Sequence, residues 1–227
     1  YLMNDFQDIG TDQISHPNRH LASGTITFKE AKIILFILAL LIIIVSISFH
    51  LKVNLFLYFI IFPLLIFYNK LFKSIPLLGN MVIAFLLSSI FIFIELFLTQ
   101  GFSLLSFPCI LIFILSFIRE LLKDIQDYNG DIMNKINTLP VFIGKKSAIN
   151  VAIILIVCFA LFLLLPYYFG YFNSIYFYLI IILIEIPLII MVFLLLNNPS
   201  NISFKYIALL TKAMSLMGLL IIFILYK

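Results

Sequence analysis

The chain has 227 residues, of which 64% are hydrophobic and only 11% are charged, and its mean hydropathy is +1.24. A soluble domain of this size cannot bury so much apolar side chain, so the composition excludes a soluble globular protein. The formal net charge of +4 is small and does not indicate a nucleic-acid partner. The sequence therefore predicts an integral membrane protein.

Seven stretches are apolar enough to cross a bilayer, which takes roughly 20 residues per helix. They lie at 31–50, 53–69, 81–100, 104–118, 147–166, 173–196 and 206–226. Their Ile, Leu and Phe runs lack the period-2 alternation of a transmembrane barrel. We expect an all-α, polytopic helix bundle whose first span is preceded by a capping box, Thr27 with Glu30. In the 119–146 loop, Pro140 and Gly144 are expected to end the helical part.

The positions of Lys and Arg predict the orientation of the bundle. With a cytoplasmic N-terminal segment, the cytoplasmic loops at 1–30, 70–80, 119–146 and 197–205 hold ten of the fourteen cationic residues. These ten are Arg19, Lys29, Lys70, Lys73, Arg119, Lys123, Lys135, Lys145, Lys146 and Lys205. An excess of positive charge in cytoplasmic loops is typical of helical membrane proteins. We therefore expect a protein of the cell membrane with its active-site loops facing the cytoplasm.

All the aspartates lie in two short segments on that cytoplasmic side. Asp5, Asp8 and Asp12 are spaced i, i+3 and i+7, and Asp124, Asp127 and Asp131 repeat that spacing. On a helix each trio occupies one face. Two carboxylate faces that meet would repel each other unless cations lay between them, and Mg²⁺ commonly links carboxylates to substrate phosphates. The pattern predicts a divalent-metal site for a phosphorylated substrate, with Arg and Lys side chains holding the remaining phosphate oxygens.

Three motifs resemble the UbiA superfamily of intramembrane prenyltransferases. The first is Asn4-x-x-x-Asp8-x-x-x-Asp12 followed by Pro17-Asn18-Arg19, and the second is Asp124-x-x-Asp127-x-x-x-Asp131. Tyr68, Lys73, Gly79 and Asn80 look like the family's middle loop. The three motifs occur in the family's order and on one side of the membrane. His20 departs from the family pattern, which often has Pro after the Arg, and we expect it to perturb only the loop.

The resemblance implies roles for particular residues. Two Mg²⁺ ions would be bound by Asn4, Asp8, Asp12, Asp124, Asp127 and Asp131, with Asp5 in support. The diphosphate would be held by Arg19, Lys73 and Lys123, with a weaker contribution from Tyr68. Independently of the resemblance, Arg119 flanks the second aspartate segment and is expected to hold phosphate oxygens as well. Asp8, Asp12, Asp124, Asp127 and Lys123 would form the catalytic set. The reaction would move a polyprenyl group from an allylic diphosphate to an acceptor in the membrane.

Family members usually have nine helices, with the first motif after the second helix. The resemblance therefore implies that residues 1–227 form one prenyltransferase domain that lacks about two N-terminal helices.

The acceptor is left open between several classes. The stretch Arg119–Asp131 with Thr138-Leu139-Pro140 looks most like digeranylgeranylglyceryl phosphate synthases, which prenylate geranylgeranylglyceryl phosphate for ether lipids. The alternatives are an aromatic quinone precursor (hydroxybenzoate, homogentisate or naphthoate) and a chlorin.

Two rival classes remain outside prenyl transfer. A CDP-alcohol phosphotransferase needs a single compact Asp-Gly…Ala-Arg…Gly…Asp…Asp run, which this sequence lacks. A transporter usually carries ionisable residues near the centres of its spans. Here Glu95 and Glu185 are the carboxylic acids within the apolar stretches, and we expect both to be structural, whereas Lys32 and Lys212 lie near the cytoplasmic ends of their stretches.

Overall fold

The structure is a computed structural model that describes residues 6, 9, 13, 18–72, 75–103, 105–197 and 199–225. The regular elements in these ranges are all helical, as predicted. The α-helices are α1 (Phe28–Ser46), α2 (Leu51–Phe56), α3 (Phe62–Lys70), α4 (Leu78–Thr99), α5 (Ser106–Met133), α6 (Leu139–Ile143), α7 (Lys145–Tyr168), α8 (Ser174–Ile180), α9 (Ile186–Asn197) and α10 (Asn201–Leu225). Two π-helical turns, Leu57–Ile61 and Ile181–Glu185, continue α2 into α3 and α8 into α9.

Five helical segments in the described ranges are long and apolar enough to cross a membrane. They are Leu51–Tyr68, Leu78–Thr99, Lys145–Tyr168, Ser174–Asn197 and Asn201–Leu225. Each matches a predicted span to within a few residues. Two further predicted spans fall in α1 and α5, which carry charged residues at one end of their apolar part. The count of seven spans stays a prediction.

The described chain divides into two compact units. The first contains α1, α2, the first π-helical turn, α3 and the segment Leu96–Gly101. Within it the Tyr58 and Ser46 hydroxyls lie 2.5 Å apart, and the Asn54 amide donates to the Ser46 carbonyl at 3.0 Å. These bonds use polar groups that would otherwise be unsatisfied in an apolar setting.

The second unit holds the remaining helices and a continuous apolar core. α5, α7, α10 and the α8–α9 helix contribute buried residues to one cluster, including Ile118, Phe159, Leu188 and Met214. Many other apolar side chains remain exposed, among them Phe193 and Leu209 at 63% each. In a bilayer, lipid covers such side chains, since lipid-facing and helix-facing surfaces are equally apolar.

The helix boundaries confirm one sequence signal and correct another. Thr27 caps α1 in a capping box in which its hydroxyl accepts from the Glu30 amide at 3.3 Å and the Glu30 carboxylate accepts from the Thr27 amide at 2.8 Å. The prediction that Pro140 ends a helix is wrong. Pro140 lies in the first turn of α6, where its missing N–H is not needed. Gly144, with φ of 87°, ends α6 as expected.

Both π-helical turns precede a proline by two residues. Leu57–Ile61 is followed by Pro63, and Ile181–Glu185 is followed by Pro187. Proline lacks an N–H and its ring clashes with the carbonyl four residues earlier. A wider turn moves that carbonyl away, so each helix continues through its proline instead of breaking. Pro63 and Pro187 are therefore the sequence features that explain these turns.

Glu95 has the structural role that the sequence predicted. Its side chain is only 3% exposed, and its two carboxylate oxygens accept from the Ser103 amide at 2.6 Å and the Leu105 amide at 2.8 Å. Leu105 is the N-cap residue immediately before α5, so Glu95 satisfies backbone donors at a helix N-terminus. One carboxylate thus ties the end of α4 to the start of α5.

We expect Glu95→Leu to lower the free energy of unfolding by about 3 kcal/mol, because two charge-assisted hydrogen bonds are lost and two amides are left unpaired. Thermal unfolding of the detergent-solubilised protein measures this. Glu95→Gln keeps an acceptor oxygen and should lose less. An unchanged melting temperature for Glu95→Leu would show that the loop does not depend on this carboxylate.

Candidate functional site

The described half of the predicted site is built on α5. This helix runs without a break from Ser106 to Met133, so it continues well past the predicted span that ends at residue 118. Its apolar part ends at Ile118, and Arg119 begins the polar part. Asp124, Asp127 and Asp131 therefore share one face of a helix, as their spacing predicted. Asp124 and Asp131 are half-buried, whereas Asp127 is exposed.

Asp124 is held by a residue from a different helix. Asn80, in the first turn of α4, donates its side-chain N–H to Oδ2 of Asp124 at 2.8 Å. The bond fixes the rotamer of the carboxylate and leaves its other oxygen for a ligand. We had placed Asn80 only within a middle loop and had given it no role. The polar Asn immediately after Gly79 at the start of an apolar helix is the signal that could have suggested one.

Asp131 is held by Thr138, the residue that precedes α6. The Thr138 hydroxyl donates to Oδ2 of Asp131 at 3.0 Å. Threonine before a helix commonly caps it with its side chain, but here that side chain makes no capping bond. The hydroxyl is used to position Asp131 instead.

The electrostatics of this face oppose ionisation of its carboxylates. The pKa of Asp124 is raised to about 6, chiefly by burial and to a smaller extent by the negative charges of Asp131 and Glu120, and the Asn80 hydrogen bond and the Lys123 charge only partly oppose this. Burial also raises the pKa of Asp131, Asp127 adds to this effect, and Thr138 and Lys123 counteract it. Crowded carboxylates that are half-buried are stabilised by a bound cation. The donor set of oxygen ligands suits a hard divalent ion.

The described residues by themselves do not complete a metal site. No group of three or more His, Cys, Asp or Glu side chains in the described ranges is arranged to hold a metal ion. Asn4, Asp5, Asp8, Asp12 and Lys73, which the resemblance assigns to metal and diphosphate, lie outside the described residues. The metal assignment therefore stays a prediction.

Arg19 and Tyr68 belong to the first unit, whereas α5 belongs to the second. Arg19 is exposed and begins a turn in which its carbonyl accepts from the Ser23 amide at 2.8 Å. His20 supports this turn, because its carbonyl accepts from the Thr25 hydroxyl at 3.0 Å and from the Ile26 amide at 3.2 Å. Gly24 adopts φ of 72°, which glycine tolerates without strain. Tyr68 is half-buried in α3.

Arg119 and Lys123 lie on a second face of α5, about 100° around the helix from the aspartates. Together with Gln126 they line a cleft of about 230 Å³ whose opposite wall is α10. Both side chains had been assigned to the diphosphate. The structure places them beside the carboxylate face, at the border of a separate concavity.

The chain matches a known family over nearly its whole length. The model of the UbiA prenyltransferase family matches residues 1–225. The chain belongs to the UbiA prenyltransferase family. It is accordingly an integral membrane prenyltransferase, and the resemblance seen in its motifs is confirmed.

Three of the most similar curated relatives share one name. Digeranylgeranylglyceryl phosphate synthase of Methanococcus aeolicus is 35% identical over 207 residues, which cover 88% of this chain and 70% of the relative. The Methanococcus maripaludis enzyme of the same name is 31% identical over 201 residues, with the same coverage. The Saccharolobus solfataricus enzyme is 34% identical over 198 residues, which cover 84% of this chain and 67% of the relative.

Two solved structures share the fold. The first concerns digeranylgeranylglyceryl phosphate synthase in membranes. Its match to this chain has a TM-score of 0.73 and 30% sequence identity, and it covers 98% of this chain and 78% of the solved one. The other is the apo structure of a UbiA homologue from Aeropyrum pernix K1, with a TM-score of 0.72 and 12% identity, covering 96% and 82%. The second likeness supports the fold alone.

Asn80→Leu should raise the Mg²⁺ concentration needed for half-maximal activity by about 10- to 100-fold, since loss of a residue that orients a metal ligand typically has an effect of that size. Titration of prenyl transfer with Mg²⁺ measures the change. Asn150→Leu, an exposed site on α7, is the matched control. If both variants respond to Mg²⁺ like the parent protein, Asn80 does not position Asp124 for metal binding.

Proposed function

We propose that this protein transfers a polyprenyl group from an allylic diphosphate to geranylgeranylglyceryl phosphate, using Mg²⁺, in a step of ether-lipid synthesis. Relatives of that name, at 30–35% identity over most of the chain, support the acceptor. The structural observation that supports this site is the carboxylate face of α5. There Asp124 and Asp131 each accept a hydrogen bond from a residue outside α5, which orients the carboxylate.

The aspartates have a defined task in this reaction. Asp124, Asp127 and Asp131 would hold Mg²⁺ together with Asn4, Asp8 and Asp12. Bound Mg²⁺ supplies stabilisation of the negative charge that develops on the departing diphosphate. Asn80 and Thr138 keep two of the carboxylates in place, so little reorganisation is needed at the moment of transfer.

The chemistry of transfer requires a site that is dry on one side and polar on the other. The carbon–oxygen bond between the prenyl group and diphosphate breaks, and the diphosphate leaves with the bonding electrons. The acceptor hydroxyl oxygen forms the new carbon–oxygen bond and releases its proton. The apolar helices exclude the water that would otherwise capture the allylic cation. The end of the apolar part of α5 provides the required boundary.

The distribution of Lys and Arg supports an orientation with this boundary at the cytoplasmic face. The diphosphate donor and Mg²⁺ are then both supplied from the cytoplasm, while the prenyl chain and the acceptor lipid remain in the bilayer.

We expect Asp124→Ala to reduce prenyl transfer by at least about 100-fold, because it removes a charged metal ligand. Asp8→Ala should have the same effect. Asn129→Ala, at an exposed position of α5, serves as the control for changes to this helix. Near-normal Mg²⁺-dependent activity of the Asp124→Ala protein would exclude the ligand assignment.

The acceptor is tested with purified protein and radiolabelled geranylgeranyl diphosphate. Incubation with geranylgeranylglyceryl phosphate should give a labelled lipid that carries a second prenyl chain, in a reaction that stops when EDTA removes Mg²⁺. Parallel incubations contain hydroxybenzoate, homogentisate or naphthoate. Label in an aromatic product and none in the ether lipid would keep the prenyltransferase activity and reject the proposed acceptor.

A further inference from the structure

The cleft between α5 and α10 is strongly cationic. Its polar lining residues are Arg119, Lys123 and Gln126 from α5 and Thr211 and Lys212 from α10. The remaining lining residues are apolar, and no carboxylate is among them. We call this concavity, about 230 Å³ in volume, the basic cleft.

The three cations of the basic cleft form no close ion pair in the described ranges, although the charge of Lys123 acts on Asp124 and Asp131. No ion pair or hydrogen bond joins the side chains of Arg119, Lys123 or Lys212 to any residue there. A fourth cation lies close by, since Nζ of Lys145 is 5.8 Å from the ring centre of Phe204, which also lines the cleft. Like charges that converge repel each other, so a bound anion would stabilise this arrangement.

Lys212 lies within the last predicted span, near its cytoplasmic end, and its side chain is exposed. It lies eleven residues beyond the start of α10, and no charged residue follows it in that helix. A lysine inside a membrane helix is expensive and commonly marks a substrate pathway. A single lysine can extend its side chain to the interface without any function. That explanation does not account for Arg119 and Lys123, which approach the same cleft from another helix.

The basic cleft adjoins the carboxylate face but is separate from it. The two faces of α5 are about 100° apart. Lys123 lies between them, because its charge acts on both Asp124 and Asp131. An anion in the cleft would therefore lie next to the metal site without competing for the aspartates.

We propose that the basic cleft binds the phosphate of the lipid acceptor through Arg119, Lys123 and Lys212. This rests on the proposed function. A phosphate monoester carries close to two negative charges at pH 7, and Arg with Lys is the combination that binds it well. Gln126 and Thr211 add polar groups to the lining, although the Thr211 hydroxyl already donates to the Ala208 carbonyl at 3.0 Å. The cleft thereby selects an acceptor with a phosphate over a neutral ring.

The test separates acceptor binding from donor binding. In Lys212→Gln and Arg119→Gln proteins, the KM for geranylgeranylglyceryl phosphate should rise about tenfold or more, the effect of losing one charge-assisted hydrogen bond. In the Lys212→Gln protein, the KM for geranylgeranyl diphosphate and the Mg²⁺ dependence should remain unchanged. Lys205→Gln removes an exposed lysine of α10 that does not line the cleft, and it should leave all three quantities unchanged.

Direct binding distinguishes the possible sources of the phosphate. The probes are geranylgeranylglyceryl phosphate, the same lipid without its phosphate, inorganic phosphate, and vesicles that contain phosphatidylglycerol. We expect the parent protein to bind the phosphorylated lipid most tightly, and Lys212→Gln to weaken only that interaction and that of inorganic phosphate. Equal weakening toward phosphatidylglycerol vesicles would overturn the acceptor assignment in favour of a general site for anionic lipids.

The outcomes separate this proposal from the proposed function. If the parent protein transfers label to the phospholipid acceptor and neither variant changes its KM, the cleft assignment fails and the function stands. If no transfer occurs but Lys212→Gln still weakens binding of the phosphorylated lipid, the cleft assignment stands and the function fails.

Discussion

Hydrocarbon does not solvate charge, and this constraint decides where the protein's chemistry takes place. A charged side chain near the middle of a bilayer costs several kcal/mol, so catalytic carboxylates and cations belong at the ends of membrane helices. In this protein the single helix α5 satisfies the constraint, because its charged residues follow its apolar part. Its apolar part ends at Ile118, and the same helix then carries Arg119, Lys123 and the three aspartates beyond the predicted span. A continuous helix positions these groups more rigidly than a loop of the same length.

The neighbours of the aspartates show what is needed to keep carboxylates crowded on one face. Burial and mutual repulsion favour their protonated forms, while Asn80 and Thr138 each donate a hydrogen bond to the ionised form. These opposing effects leave the face ready for a divalent cation, which removes the repulsion and uses the oxygen atoms that face away from the donors. Within the described part of the chain, this face would supply half of the proposed metal site, and the first aspartate segment would supply the rest.

Opposite charges on two faces of α5 suit a reaction with two phosphorylated substrates. The carboxylate face suits a diphosphate that arrives with metal ions, and the basic cleft suits a phosphate that arrives without one. Keeping the faces about 100° apart allows both anions to approach one helix. Lys123, which acts electrostatically on Asp124 and Asp131 and also lines the cleft, is the point where the two faces meet.

The sequence by itself determined the helical class, the approximate limits of the spans, the capping box at Thr27 and the shared face of Asp124, Asp127 and Asp131. Each of these follows from local rules, because hydrophobicity, capping and helical spacing depend on residues that are close in the chain. The role of Pro140 was misread, because a proline can end one helix or begin the next.

Only the tertiary structure decided that Asn80 donates to Asp124, 44 residues away, and that Lys212 of α10 shares a cleft with Arg119 of α5. In a membrane protein, the helix surfaces that face lipid and those that face other helices are equally apolar. The hydrophobic pattern therefore does not encode which helices are neighbours, and polar contacts between helices become known only when the packing is known.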